Sequence, residues 1–287
     1  MKENKKLQKH TIGVDIGGTN MKAVLFDGQK VIADYSLATP KENLNQFLTM
    51  LKALIDPLLE KAKKEKIKVD GLGLSIAGPV DFNKQIITKA PNIPILNEVK
   101  LGKELEDKIG LPAIIDNDGN CFVRAEAKLG TGKKYSNFYG LTIGTSIGSA
   151  WWFNNEVYRG IRSGAGEVAH LIINCSEYIS LEKAYQHLTQ NNPAQLAEEA
   201  YRGDSLAQKS YKEIGGLLGT ALANIVNILD PEVFIIGGGV IESSDLFLAK
   251  IKKTMREYIM NTESKKIKII KSELGDQAGA IGAALLV

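Results

Sequence analysis

Residues 11–37 read TIGVDIGGTNMKAVLFDGQKVIADYSL. Apolar runs are broken first by Gly17-Gly18 and then by Asp27-Gly28. The order is strand, turn, strand, turn, strand, and Asp-Gly between apolar runs is a strong hairpin signal. The same grammar returns at 138–153. Laying IGGTNMKAVLFDGQKV (16–31) over IGTSIGSAWWFNNEVY (143–158) without gaps matches Ile, Gly, Ala and Phe at 16/143, 17/144, 23/150 and 26/153. It also sets Asp27-Gly28 over Asn154-Asn155. Identities this sparse arise by chance, but a matched strand–turn order is harder to obtain that way. The pattern predicts a structural repeat, with two like-built lobes facing each other and each offering a glycine turn.

Outward from that stretch, strand and helix signals alternate, which indicates α/β layers. Leu44, Phe47, Leu48, Leu51, Leu54, Ile55, Leu58 and Leu59 recur at helical spacing. Pro57 inside this pattern predicts a kink or a helix end close by. VDGLGLSIAGPV (69–80) reads as a buried strand running into a turn, and GKELEDKIG (102–110) as a short helix. LPAIIDND (111–118) reads as a strand ending in carboxylates, and GNCFVRAEAKLG (119–130) as the helix after it. Beyond Gly160 helices dominate: 179–188, 193–202, and a long one from Ser205 to Leu229 closed by Pro231. EVFIIGGG (232–239) is a buried strand ending in glycines. A helix near 245–260, a strand KIKII and a terminal helix AGAIGAALL follow.

The bulk properties narrow the function classes. At 287 residues the chain suits two lobes better than one core. Its 44% hydrophobic and 24% charged residues are those of a globular protein. The net charge of +3 is small and spread along the chain, with much of the lysine excess in KENKK (2–6) and KAKKEK (61–66), which read as solvated faces. Neither run carries interleaved aromatics, so no nucleic-acid partner is expected. The two cysteines, Cys121 and Cys175, form no CxxC pair and point to a reducing compartment. MKENKKLQKH leads into no long apolar run, so neither a signal peptide nor a membrane span is expected. The expected location is cytoplasmic.

Several short stretches carry chemistry. In DIGGTN, Asp15 ends a strand and successive N–H groups of Gly17 and Gly18 can form an anion-binding nest. Thr19 and Asn20 add donors, Lys22 adds charge, and Asp15 can hold Mg²⁺ through water. The alternative is a tight hairpin with a half-buried aspartate. GTSIG, with Gly144, Thr145 and Ser146, is a second such turn where the repeat predicts one. Neither is GxGxxG or GxxxxGK[ST]. Gly237, Gly238 and Gly239 either admit a flat adenine or make a strand-to-helix turn. Asp116 and Asp118 lie at a strand end, where a carboxylate can act as general base or cap a helix. Asp116 or Asn117 can cap while Asp118 points inward. Glu167 and His170, at i and i+3, can share a face as ligands or as structural residues. HLIINCSEYISLEK (170–183) leaves open a metal site, a substrate site or a helix entry.

DIGGTNMKA, SIAGPVD, PNIP, DNDGN, GTSIG, YRG, GAGEVAH, GGG and GAIGAALL occur in the order found in the ROK family of sugar kinases. The chain resembles that family, a branch of the actin-like ATPase-domain superfamily, over residues 11–287. The resemblance implies an α/β, two-lobed actin-like ATPase (ribonuclease H-like) fold with a mixed sheet in each lobe and a central cleft for ATP and sugar. Its lobes would be 1–117 and 118–275, with a terminal helix at 276–287 returning toward the first. By position, Asp118 matches the general base and Asn117 a residue holding the same hydroxyl region. Asn92, Glu167, His170 and Glu182 match sugar-ring contacts, and Gly78 a backbone contact. Asp15, the turn 17–20 and 144–146 match the phosphate and Mg²⁺ cradle, and Gly237–Gly239 the adenosine side. The implied activity is ATP-dependent hexose phosphorylation by a homodimer. Glucose is the favoured acceptor, ahead of fructose, a β-glucoside or an N-acetylhexosamine.

The chain departs from the family pattern in places. Ser146 and Ser149 stand where the family has glycines, and PNIPILN lacks the tryptophan common after PNLPG. Many members bind a structural zinc with the histidine and three cysteines. Here only His170 and Cys175 remain, so no structural zinc is expected. SLEK aligns with the family's CLE, which is how Glu182 enters the sugar site. Some ROK proteins are repressors with an N-terminal helix-turn-helix of several dozen residues. Only MKENKKLQKH precedes Thr11, so DNA binding is not expected. A catalytically silent sugar-binding protein is the other alternative.

Overall fold

The structure, a computed structural model, describes residues 9–287. The KENKK run lies outside the described residues. Two compact units divide the chain. The first holds the described residues through Gly130 together with Arg159–Ala165 and Asp276–Val287. The second holds Thr131–Tyr158 and Gly166–Gly275.

The first unit opens with β1 (His10–Ile16), β2 (Asn20–Phe26) and β3 (Val31–Ala38), an antiparallel meander. After α1 (Leu44–Lys64), β4 (Val69–Ile76) lies parallel beside β1. A small hairpin, β5 (Val80–Asp81) with β6 (Ile86–Ile87), and α2 (Leu101–Ile109) lead to β7 (Ala113–Asn117), parallel to β4. The sheet order is β3-β2-β1-β4-β7, and α3 (Asp118–Lys128) follows directly. The apolar stripe of α1, from Phe47 to Leu58, is buried, and Asn43 caps its start by accepting from the Gln46 N–H.

Pro57 does not end α1, which continues to Lys64. Proline leaves the carbonyl four residues earlier without its helical donor. That carbonyl belongs to Ala53, on the exposed face, where water can serve it. Ile55 and Leu58, on either side of the proline, are fully buried. Their packing holds the helix through the break in its ladder.

The second unit repeats the plan. β8 (Asn137–Ile143), β9 (Ile147–Phe153) and β10 (Glu156–Tyr158) form an antiparallel meander. A two-stranded hairpin, β11 (Ile172–Asn174) with β12 (Ile179–Ser180), is followed by α4 (Leu181–Thr189), α5 (Pro193–Tyr201) and α6 (Ser205–Leu229). Then β13 (Val233–Gly237) lies parallel to β8, and after α7 (Leu248–Tyr258), β14 (Lys268–Lys271) lies parallel to β13. The order β10-β9-β8-β13-β14 matches that of the first sheet, direction for direction.

The repeat is therefore real in topology, but the ungapped alignment is one residue out after the first turn. Ile16 pairs with Met21, whereas Ile143 pairs with Ile147. The second turn is one residue tighter. By pairing register the matches at 16/143 and 17/144 stand, and those at 23/150 and 26/153 are coincidences. A strand's side-chain period is two, so one residue changes the face each side chain takes. No periodicity within either strand carries that information.

The last helix, α8 (Ala278–Ala284), belongs to the first unit. It lies against β1, β4 and α3. The approach is close enough to require bare backbone. A Cβ on Gly73 would fall 1.8 Å from the Ala283 carbonyl oxygen, and one on Gly282 1.8 Å from that of Cys121. Thr11 Oγ1 donates to the Ala284 carbonyl at 2.9 Å. Packing against α8 also places α3 in the first unit, so the division falls at Gly130 rather than at 117. No helix among the described residues is long and apolar enough to cross a membrane.

Candidate active site

In the first unit, the parallel strands end on the same side as the glycine turn. The side chain of Asp15, near the end of β1, is held by Ser75 of β4, whose Oγ donates at 2.5 Å. Burial pushes the Asp15 carboxyl up, and the Ser75 bond and the Lys22 charge partly oppose this. Lys22 is ion-paired with Asp276 just ahead of α8. In the turn, Gly17 N–H donates to the Asn20 carbonyl, and Thr39 Oγ1 donates to the Gly17 carbonyl at 2.7 Å. Thr19 and Asn20 are exposed. Asn92 lies against this turn: a Cβ on Gly18 would come within 2.7 Å of Asn92 Cβ.

The junction of β7 and α3 sorts its three polar residues into different tasks. Asn117 caps α3, accepting from the Asn120 N–H at 3.2 Å. Its Nδ2 donates to the Gly78 carbonyl at 3.1 Å and to Asp118 Oδ1 at 2.9 Å. Asp118 Oδ1 also accepts from the Gly119 N–H at 2.9 Å. Asp118 is half-buried, whereas Asp116 is 1% exposed and fully engaged. Asp116 Oδ2 accepts from Arg124 at 3.1 Å and Arg159 at 2.6 Å, and its Oδ1 accepts from Asn120 Nδ2 at 2.8 Å. The Arg159 guanidinium also stacks 3.9 Å from the Phe82 ring centroid. With both oxygens taken by protein donors and its side chain buried, Asp116 has no oxygen turned to a ligand, so it is structural.

In the second unit, Gly144 N–H donates to the Ser146 carbonyl and closes the second turn. Glu182, near the start of α4, braces it. Glu182 Oε2 accepts from the Ile147 N–H at 2.9 Å and Oε1 from Gln186 Nε2 at 2.8 Å. Tyr185 donates its hydroxyl to the Gly144 carbonyl at 2.6 Å. Glu167 precedes a single 3-10 turn, Val168–His170, and the His170 N–H returns to the Glu167 carbonyl. Burial pushes the Glu167 carboxyl up, and the nearby His170 lowers it by a smaller amount. His170 itself is exposed. Cys175 is exposed in the β11–β12 turn.

A cavity of about 420 Å³ opens beside the second turn. Gly144 and Thr145 line one side, Gly239 and Ser243 another, and the start of α5 at Asn192 and Pro193 a third. Of the three glycines at the end of β13 and just past it, only Gly239 reaches this cavity. Gly237 is buried in the strand, and a Cβ on Gly238 would lie 2.4 Å from the Ile143 carbonyl oxygen. A cavity of about 470 Å³ between α7 and β14 is lined by Lys252, Arg256 and Lys268 and holds none of the expected site residues.

The residues that the sequence did not single out are those joined across long separations. Ser75 reaches Asp15, Tyr185 reaches Gly144, and the α5 start reaches the cavity. Arg159 stood within a recognised motif, YRG, but nothing local ties it to Asp116.

Two five-stranded mixed sheets with the same strand order and directions are the fold of the actin-like ATPase superfamily. Within it, the chain belongs to the ROK family, whose profile matches residues 11–287. It is 27% identical to a glucokinase of Streptomyces coelicolor over 96% of both chains. It is 28% identical to the N-acetylgalactosamine kinase AgaK of Shewanella sp., covering 96% of this chain and 95% of that one. A ROK family glucokinase from Streptomyces griseus, solved with glucose and AMPPNP, superposes with a TM-score of 0.81 at 26% identity, over 97% of this chain and 99% of that one.

Proposed function

We propose that the protein is an ATP-dependent hexose kinase that transfers the γ-phosphate to a sugar hydroxyl, glucose to glucose 6-phosphate foremost. The observation that carries this is the division of roles at the β7–α3 junction. Asp116 is saturated by two arginines and Asn117 caps the helix. Asp118 remains as a half-buried carboxylate steadied on one oxygen by two donors. That arrangement suits a general base oriented toward an acceptor hydroxyl. On this reading Gly78, Asn92, Asn117, Glu167, His170 and Glu182 are the sugar contacts. The turns 17–20 and 144–146 serve the phosphates, with Lys22 adding charge.

The cavity beside Gly144 and Gly239 has the volume for a nucleoside. Among the described residues no group of three or more His, Cys, Asp or Glu side chains is placed to hold a metal by itself. Mg²⁺ commonly takes only one or two carboxylates, with phosphates and waters completing its shell. Asp15, a single carboxylate at a phosphate-type turn, fits that use. Bound there with the nucleotide, Mg²⁺ would neutralise charge on the phosphates.

Glucose is favoured by the glucokinases among the relatives, and the AgaK likeness keeps an N-acetylhexosamine as the second acceptor. We further propose a cytoplasmic homodimer, whose mass light scattering would report. The decisive experiment is an ADP-coupled assay over a hexose panel, with Asp118→Asn beside the parent. Loss of a general base costs roughly 10²–10⁴-fold in kcat. A panel without sugar-dependent ADP would reject the kinase. An Asn variant within about tenfold of parent would reject Asp118 as base.

A further inference from the structure

We propose that Ser149 is a positioning residue for Glu167, and through it for the sugar. The inference rests on the reading of Glu167 as a sugar contact. Ser149 lies on β9 and is 5% exposed. Its Oγ donates to the Gly166 carbonyl at 2.5 Å and accepts from the Val168 N–H at 3.1 Å. Those two groups flank Glu167 in the chain, so one hydroxyl holds the backbone on both sides of it. Tyr139 of β8 donates a second hydroxyl to the same Gly166 carbonyl at 2.6 Å. Burial pushes the Tyr139 hydroxyl up to about 12, so it remains a donor near neutrality.

Glu167 does not cap the 3-10 turn that follows it with its own side chain. The aim of its carboxylate therefore depends on where Gly166 and Val168 are held. The resemblance to the ROK family places glycine at position 149. Glycine would leave the Gly166 carbonyl to Tyr139 and to the Val168 N–H, which donates to it at 2.9 Å, and would remove the acceptor that ties Val168 to β9. A serine here gives this chain a fixed Glu167 where the family pattern supplies no such hydroxyl.

The test uses the full chain and three variants, Ser149→Ala, Ser149→Gly and Ser149→Thr. With the best hexose from the panel, the Ala and Gly variants should raise sugar KM about tenfold while kcat and ATP KM stay within about twofold. Ser149→Thr keeps the hydroxyl and should stay near parent. Hydrogen exchange without sugar should quicken at Val168 in the Ala and Gly variants. If the Thr variant does not fold, the Ala, Gly and exchange data still decide. Sugar and ATP KM rising together, or a lowered Tm with sugar KM unchanged, would show a merely structural serine. A parent that phosphorylates no hexose would bring down the Glu167 reading and this inference with it. An active parent whose Ala variant keeps its sugar KM would bring down the inference alone.

Discussion

Glu167 and Asp116 are carboxylates in opposite settings. Asp116 is buried but met by two guanidiniums, so its charge is compensated. Glu167 is half-buried with only His170 to oppose the burial, and its carboxyl is pushed above the ordinary 4.5. A raised native pKa means that the folded chain holds this proton more tightly than the unfolded one. The stability this brings is complete below the ordinary value and is lost as pH rises through the native value. Glu167→Gln removes the titration. Relative to parent, the variant should gain stability between about pH 4 and about pH 7 in urea melts. Equal differences at the two pH values would show that the charge costs the fold nothing. Sugar affinity should fall in the same variant, because a carboxylate retained at a cost to stability points to use in binding.

At the scale of elements, α8 is seated by glycines. Gly73→Ala would drive a methyl into the Ala283 carbonyl, and overpacking of this kind costs about 1–3 kcal/mol. Gly164 has open space around its missing Cβ and is the control. Urea midpoints should drop for the first variant and stay put for Gly164→Ala. Such contacts explain which elements were readable. The meander of β1 to β3, the helix from Ser205 and the strand before the three glycines each announce themselves through local period and turn chemistry. The passage of α1 through Pro57, the one-residue shift between the hairpins and the β11–β12 pair do not. The first rests on the packing of Ile55 and Leu58, and the other two leave no mark in local period. The site divides the same way. Asp118 drew notice in the sequence because it directly follows an apolar strand. The exclusion of Asp116 was not legible, since one of its arginines lies 8 residues away and the other 43. The bracing of the second turn by Glu182 spans 35 residues.

For the whole molecule, the first unit is assembled from three separate pieces of chain and the second from two. A chain cut after Gly275 lacks α8, and the backs of β1 and β4 lose their cover. Limited proteolysis of that chain should digest the first unit while fragments from the second persist. Equal resistance of the two units would show that α8 is dispensable. The bond from Thr11 to Ala284 joins residues 273 apart. At about 5–20 residues per second, the interval between making the two ends is roughly 15–55 s. β1 throughout that time, and β4 once it is made, stand without their covering helix, while the elements of the second unit, through β14, are all finished before α8. The order of completion on the ribosome thus runs opposite to the order of synthesis, and the oldest part of the chain is the last to be sealed. That delay leaves an apolar face of the first sheet uncovered while the chain is made, and transiently exposed surface of this kind is what chaperones shield.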